Sequence, residues 1–323
     1  MKSVWLTVVL TLAVLAAPFS AGAQQARRIY RIGALNEAWA PNHPAVEGLK
    51  AGLKELGLED GRDITFDIRF TEGSLEVMPT AAAALVRASV DLIFTSSEAA
   101  TKAAKAATQT IPIVFTLVGD PVAAGMVKEI AHPGGNLTGI SGLRTELVPK
   151  RLEILKALAP TLRRVRFIYY ADNPESPAAV RKAEEAAQLL RLDLVAQAVR
   201  TPEELARALK AVRSGDGFLA QGGPGPDING QVLETSLSVR VPAIFPSAFW
   251  VGFGALASYG SDYHAEGVQA ARLVAKILRG ARPQDLPVEG ANKIELAINL
   301  KTAGSLGLTI PREILLRADK VIQ

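Results

Sequence analysis

Short runs rich in Val, Ile and Phe alternate along the chain with stretches whose apolar positions recur every three to four residues. The runs occupy 29–35, 64–70, 91–95, 111–118, 165–170, 192–199, 217–221 and 241–245. Several are apolar on both faces, as strands of a parallel sheet covered by helices are. Between them, Val46, Leu49, Leu53 and Leu56 share one helical face, with Gly57 placed to stop the helix. Thr201-Pro202-Glu203-Glu204 reads as a capping box with proline at the first helical position, followed by the inward stripe Leu205, Leu209 and Val212. Ser176-Pro177 opens a helix in the same way, and another is predicted from about Tyr263 to Leu278, ended by Gly280. Strand and helix alternate throughout, which predicts an α/β protein of doubly wound, Rossmann-like sheets with right-handed crossovers.

The two halves echo one another. Arg28-Ile29-Tyr30-Arg31-Ile32 matches Arg164-Val165-Arg166-Phe167-Ile168, Ser89-Val90-Asp91 matches Ser214-Gly215-Asp216, and Ile111-Pro112-Ile113-Val114-Phe115 matches Val241-Pro242-Ala243-Ile244-Phe245. The echoes keep the same order, each about 125 to 136 positions downstream, as two lobes of one topology would. Turn-rich segments at 133–142, 252–260 and 283–287 predict a three-segment hinge. The expected organisation is a leader at 1–23, a first lobe of 27–141 with 259–287, and a second of 142–258 with 288–323.

The leader follows from Lys2, an apolar stretch from about Val4 to Ala17, and the small-x-small pattern Ala21-Gly22-Ala23. That stretch falls short of the roughly 20 residues that span a bilayer, so it predicts a cleaved signal and a periplasmic protein. The absence of cysteine excludes a lipoprotein anchor, disulfides, a thiolate nucleophile and a zinc-thiolate site. Lys and Arg total 36 against 32 Asp and Glu, interspersed, and aromatics make up 6%; nucleic acid is not an expected partner.

In open parallel sheets a ligand sits beyond the carboxyl ends of the strands. Two such edges facing each other across a hinge make a cleft. The candidate ligand contacts read from the strand ends are Asn36, Trp39, Ser96, Ser97, Glu98, Gly119, Asp120, Asn173, Gly222, Phe245, Phe249, Tyr259 and Asp262. Ser96 and Ser97 stand between a buried strand and a helix start, where hydroxyls and free N–H groups could hold a carboxylate or simply cap the helix. Glu98 would repel such an anion or pair with a ligand ammonium. Asp120 either receives an ammonium or closes an Asp-Pro turn. The aromatics could wall an apolar ligand or pack in the core.

Catalytic readings find little support. His43, His132 and His264 show no metal-ligand spacing, Gly139-x-Ser141-Gly142 lacks the spacing of a nucleophile elbow, and Gly222-Gly223-Pro224-Gly225 leads into no dinucleotide fingerprint. The expectation is a monomeric binding protein for a small molecule, with no catalytic residue, metal or cofactor. The same fold would serve a ligand-presenting partner of a membrane sensor, which sequence does not separate from a transport receptor. A periplasmic hydrolase is the least favoured reading.

The chain also resembles the substrate-binding proteins of ABC transporters that include tryptophan- and phenylalanine-type periplasmic binders. The resemblance rests on Arg27 to Gly33, Ile111 to Phe115, Gly119-Asp120-Pro121-Val122, His132 to Gly139, Ser258-Tyr259-Gly260, Asn299 to Ala303 and Gly307 to Pro311, and covers nearly the whole mature chain. It implies a type I periplasmic binding fold, a ligand such as an amino acid or other small carboxylate held by hinge closure, and delivery to an ABC permease in the inner membrane. Ser97-Glu98-Ala99 stands where that family commonly has Gly-Thr-Pro, and the familiar Trp-Asn-Pro is altered around Tyr169-Tyr170 although Asn173-Pro174 remains; both departures lie in the expected cleft, which leaves open a ligand other than an aromatic amino acid.

Overall fold

The computed structural model describes residues 28–38, 41–222 and 227–323; the expected leader and Trp39 lie outside them. The chain first lays down β1 (Tyr30–Asn36), α1 (Pro44–Glu55), β2 (Ile64–Phe70), α2 (Met78–Arg87), β3 (Leu92–Thr95), α3 (Glu98–Ala107), β4 (Ile113–Val118) and β5 (Leu137–Ser141). It then crosses to α4 (Val148–Leu158), β6 (Arg164–Tyr170), α5 (Ser176–Leu189), β7 (Asp193–Val199), α6 (Pro202–Lys210), β8 (Asp216–Leu219), α7 (Ile228–Val239), β9 (Ala243–Phe245), α8 (Phe249–Gly252) and β10 (Ala257–Ser261). It returns through α9 (Tyr263–Leu278) and β11 (Glu289–Gly290), then crosses a last time to β12 (Ile294–Asn299), α10 (Leu300–Ser305), α11 (Arg312–Leu315) and β13 (Lys320–Ile322).

Two sheets result, a six-stranded one ordered β11-β5-β4-β3-β1-β2 and a seven-stranded one ordered β13-β12-β10-β9-β8-β6-β7. Pairing is parallel except where β12 runs against β10. The first five strands of each half share one doubly wound order, with its switch point beside the first strand of the half, β1 or β6. Each sheet carries an apolar core on both faces, which is why its strands read as continuous hydrophobic runs. Ser176 opens α5 as its first helical residue but does not cap it; its hydroxyl donates instead to the Tyr170 carbonyl at 2.9 Å.

The strands change sheets at slightly different places from those expected. Tyr259 to Ser261 belong to the second sheet, because their backbone pairs with β12, and the return falls at Asp262. Glu289 and Gly290 belong to the first sheet, because they pair with Ile140 and Ser141. The helix that returns, α9, lies on the first lobe against α1 at a separation only glycine permits. A Cβ on Gly48 would stand 2.0 Å from the His264 carbonyl oxygen, and one on Gly267 2.0 Å from that of Ala45.

The three crossings lie side by side. Ala291 N–H donates to the Ser141 carbonyl at 2.8 Å, and Asp262 N–H to that of Lys293 at 3.1 Å. Glu266, from the first turns of α9, is buried at this junction and its Oε2 accepts the Leu117 N–H at 2.9 Å. Leu117 can offer that N–H because it leaves the extended region, at φ +59°, where the β4–β5 register shifts. Burial pushes the Glu266 carboxyl up to about 7, against the opposing pull of the Ser261 hydroxyl, the Leu117 N–H and Arg144. Across the junction, Glu175 at the foot of α5 reaches the first lobe, where its Oε1 accepts the Asp120 N–H at 3.0 Å. A Cβ on Gly119 would stand 2.4 to 2.6 Å from that carboxylate, so only glycine leaves room for it.

Two outcomes follow for stability. The folded state holds the Glu266 proton more tightly than the unfolded chain, so its contribution is full below pH 4.5 and is lost as pH rises through about 7. A Glu266→Gln variant should therefore gain on the wild type as pH rises from 5 to 8, by about 3 kcal/mol in urea melts; a pH-independent difference would refute the assignment. Gly119→Ala should displace the Glu175 carboxylate and cost about 1–3 kcal/mol in the same melts, whereas Gly57→Ala, where a Cβ meets nothing within 4 Å, should lose only what its φ of +79° demands.

Candidate functional site

A cleft of about 840 Å³ opens where the carboxyl edges of the two sheets face each other. The first lobe contributes the residues after β1, the turn between β3 and α3, Leu117, and the start of α9. The second contributes Arg144, Gly222, Asn229 and the segment from Pro246 to Trp250.

The β3–α3 turn is the polar centre of the first wall. Ser97 is extended and its Oγ accepts the Ala100 N–H at 3.1 Å, so it caps α3. Thr101 fastens the helix to its strand, its hydroxyl donating to the Ser97 carbonyl at 2.7 Å and lying 2.8 Å from that of Thr95. Ser96, 3% exposed, lines the cleft, and its hydroxyl has no hydrogen-bond partner among the described residues. Glu98, also 3% exposed, sends Oε1 to Lys102 Nζ at 2.7 Å, while Oε2 ends in no hydrogen bond among the described residues.

Arg144 faces this turn from the second lobe. Its Nη2 lies 3.3 Å from Glu175 Oε1 and 3.9 Å from Glu98 Oε2. Burial alone would lower the guanidinium pKa, but Glu175, Tyr263 and Glu98 together outweigh it and the net shift is upward. The arginine is aimed by its neighbour Arg151, buried on α4, which donates to the Arg144 carbonyl at 2.6 Å and the Tyr259 carbonyl at 3.4 Å. Burial, and then repulsion from Arg144, bring the Arg151 guanidinium down to about 10.

The second wall is aromatic. Trp250 stacks on Phe245 with centroids 5.5 Å apart and receives Phe249 edge-on at 5.2 Å. Phe249 is 58% exposed, an apolar ring held at the cleft. At the floor, His43 caps α1 by accepting the Ala45 N–H on Nδ1 and stacks on Tyr263 at 6.2 Å. Burial pushes this imidazole down to about 4, so it is neutral at physiological pH with its proton on Nε2.

Of the residues expected at the site, Ser96, Ser97, Glu98, Gly222, Phe249 and Asp262 line the cleft. Asp262 does so while capping α9 and pairing with Lys293 at 2.7 Å; burial raises its pKa, but Lys293 and the helix N–H groups hold it below the usual value. Six others are not among the residues lining this cleft and make contacts elsewhere. Asn36 is fully buried behind the wall with Oδ1 on the Ala38 N–H. Gly119 makes room for Glu175, and Asp120 closes its own turn by accepting the Val122 and Ala123 N–H groups. Asn173 likewise accepts the Glu175 N–H. Phe245 is core, and Tyr259 packs on the core of the second lobe. Sequence reasoning missed Arg144, Glu175, His43 and Tyr263. An isolated Arg or Glu carries no periodic signal of burial, and only the His43-Pro44 start of α1 could have drawn attention to the cap.

The sequence matches the family described as ABC transporter substrate binding protein over residues 42–322. It is 28% identical over 272 residues to the tyrosine-binding protein of Clostridioides difficile (strain R20291), covering 82% of this chain and 78% of that one. A Streptococcus pneumonia ABC domain in complex with L-Trp superposes with a TM-score of 0.80 at 27% identity, covering 91% of this chain and all of the other. The ligand-free, open structure of a substrate binding protein with adhesive properties from Clostridium difficile gives 0.70 at 26% identity, with the same coverage. The doubly wound lobes and their order are those of type I periplasmic binding proteins, and with a family match spanning most of its length this chain belongs to the ABC transporter substrate-binding proteins.

Proposed function

We propose that this chain is the extracytoplasmic solute receptor of an ABC importer, holding an amino acid or other small carboxylate between its lobes and presenting the closed form to a permease. The observation that carries this reading is the pairing across one cleft of a polar helix-start turn, Ser96 to Glu98, with the Phe249–Trp250 wall and Arg144. Such a cleft can take a small molecule with a charged end and an apolar body. The carboxylate of the ligand lies toward the N-terminus of α3, where unpaired N–H groups favour negative charge, and toward the Arg144 guanidinium.

The relatives support the ligand class, since one is named for tyrosine and another is solved with L-Trp. The higher TM-score to the Trp-bound relative than to the ligand-free open one, at nearly equal identity, supports a chain whose lobes can approach as they do around a ligand. Closure at the junction of crossings gives the ligand contacts from both walls, and that differential affinity shifts the open–closed equilibrium.

Thermal unfolding of the purified protein against a library of amino acids, small carboxylates, sugars and nucleosides tests the reading. A true ligand at a hundred times its Kd adds about 2.7 kcal/mol and raises Tm by about 5–10 °C. Small-angle scattering should show a smaller radius of gyration with that ligand. A library that leaves Tm unmoved throughout would remove the receptor from consideration.

A further inference from the structure

We propose that Glu98 selects the ligand by an unblocked amino group, and that Arg144 is the protein's own cation competing for the same carboxylate. The inference deepens the receptor reading and rests on it: it decides between an amino acid and a bare carboxylate.

The β3–α3 turn is suited to an anion by its hydroxyls and its helix start, yet it carries a carboxylate of its own. Glu98 is 3% exposed and cannot swing into water to make way. A ligand bringing only negative charge to Ser96 and Ser97 would meet like charge at close range beside a buried carboxylate. A ligand that brings an ammonium beside its carboxylate removes that conflict.

The free hydrogen-bonding groups match such a zwitterion. Glu98 Oε2 and Ser96 Oγ line the same stretch of wall, both buried and both without a hydrogen-bond partner among the described residues, and both can accept from an ammonium. Arg144 Nε is a buried donor likewise without a partner, and it can serve the carboxylate. Lys102 already occupies Glu98 Oε1 at 2.7 Å, which leaves Oε2 as the oxygen without a hydrogen bond among the described residues. Arg144 stands 3.9 Å from that oxygen, within reach of its charge but beyond a hydrogen bond, and is held back by Glu175 at 3.3 Å. An arriving ammonium takes the closer place on Oε2, and Arg144 turns its free donor to the ligand carboxylate. The contact made by Arg144 across the cleft is thereby replaced by contacts of one ligand to both lobes.

Isothermal titration of the purified protein with L-tyrosine, L-tryptophan and L-leucine, followed by analogues of the tightest binder, tests this. The analogues are its N-acetyl form, the acid lacking the amine, and the amine lacking the carboxylate. Losing or acetylating the amine should weaken binding by about 30-fold or more, and Glu98→Gln should cost the parent amino acid about tenfold or more. The same variant should shrink the gap between the free and acetylated amino acid to about threefold. An acetylated or amine-free analogue binding within about threefold of its parent would overturn the proposal, as would a folded Glu98→Gln protein that keeps both affinity and discrimination. Should that variant fail to fold, the analogue series on the unaltered protein decides alone. Binding of a sugar, nucleoside or simple carboxylate in place of these amino acids would overturn the role of Glu98 and leave the receptor standing, whereas silence from every compound would end both.

Discussion

A guanidinium largely withdrawn from water has to be met by negative charge, and meeting it at Arg144 ties the two lobes together. Glu98 comes from the first lobe and Glu175 from the second, and Glu175 also accepts a backbone N–H from Asp120 across the junction. Removing one member of such a set leaves the others buried and uncompensated, which costs far more than a surface ion pair contributes. The spacing of the lobes is therefore set by charge as much as by the covalent crossings. Arg151 extends the arrangement by pinning the backbone that carries Arg144.

Glu266 and His43 place a second constraint on the same region, with opposite dependence on pH. Both groups are disfavoured in their charged forms by burial, one carboxyl raised to about 7 and one imidazole lowered to about 4. The imidazole contributes stability above pH 6.5 that is lost as pH falls through about 4, while the carboxyl contributes stability below pH 4.5 that is lost as pH rises through about 7. The two contributions offset each other through mildly acidic pH.

Much of the architecture was legible in the residues. The strand from Ile64 to Phe70 and the helix from Tyr263 to Leu278 match the reading end for end, because an alternating apolar run and a capped apolar stripe are local signals. The site was legible only where it coincides with such signals. Ser97 announces itself as the cap between a buried strand and a helix, and Ser96 and Glu98 come with it. Asp120 and Asn173 share the look of ligand contacts because an Asx turn and a binding site draw on the same residue types at the same strand ends. Arg144, Glu175 and Glu266 owe their roles to partners 31 to 149 positions away, a distance at which no pattern along the chain speaks.

The helix seated against Gly48 and Gly52 is supplied by residues 263–278, after β6 to β10 of the second sheet have been made. During synthesis the first half thus waits, one face of its sheet covered by α1 alone, until four fifths of the polypeptide exists. A chain that cannot complete its opening unit early keeps apolar surface uncovered for longer. The order in which the elements are strung together therefore leaves the first core to be closed by one of the last helices translated.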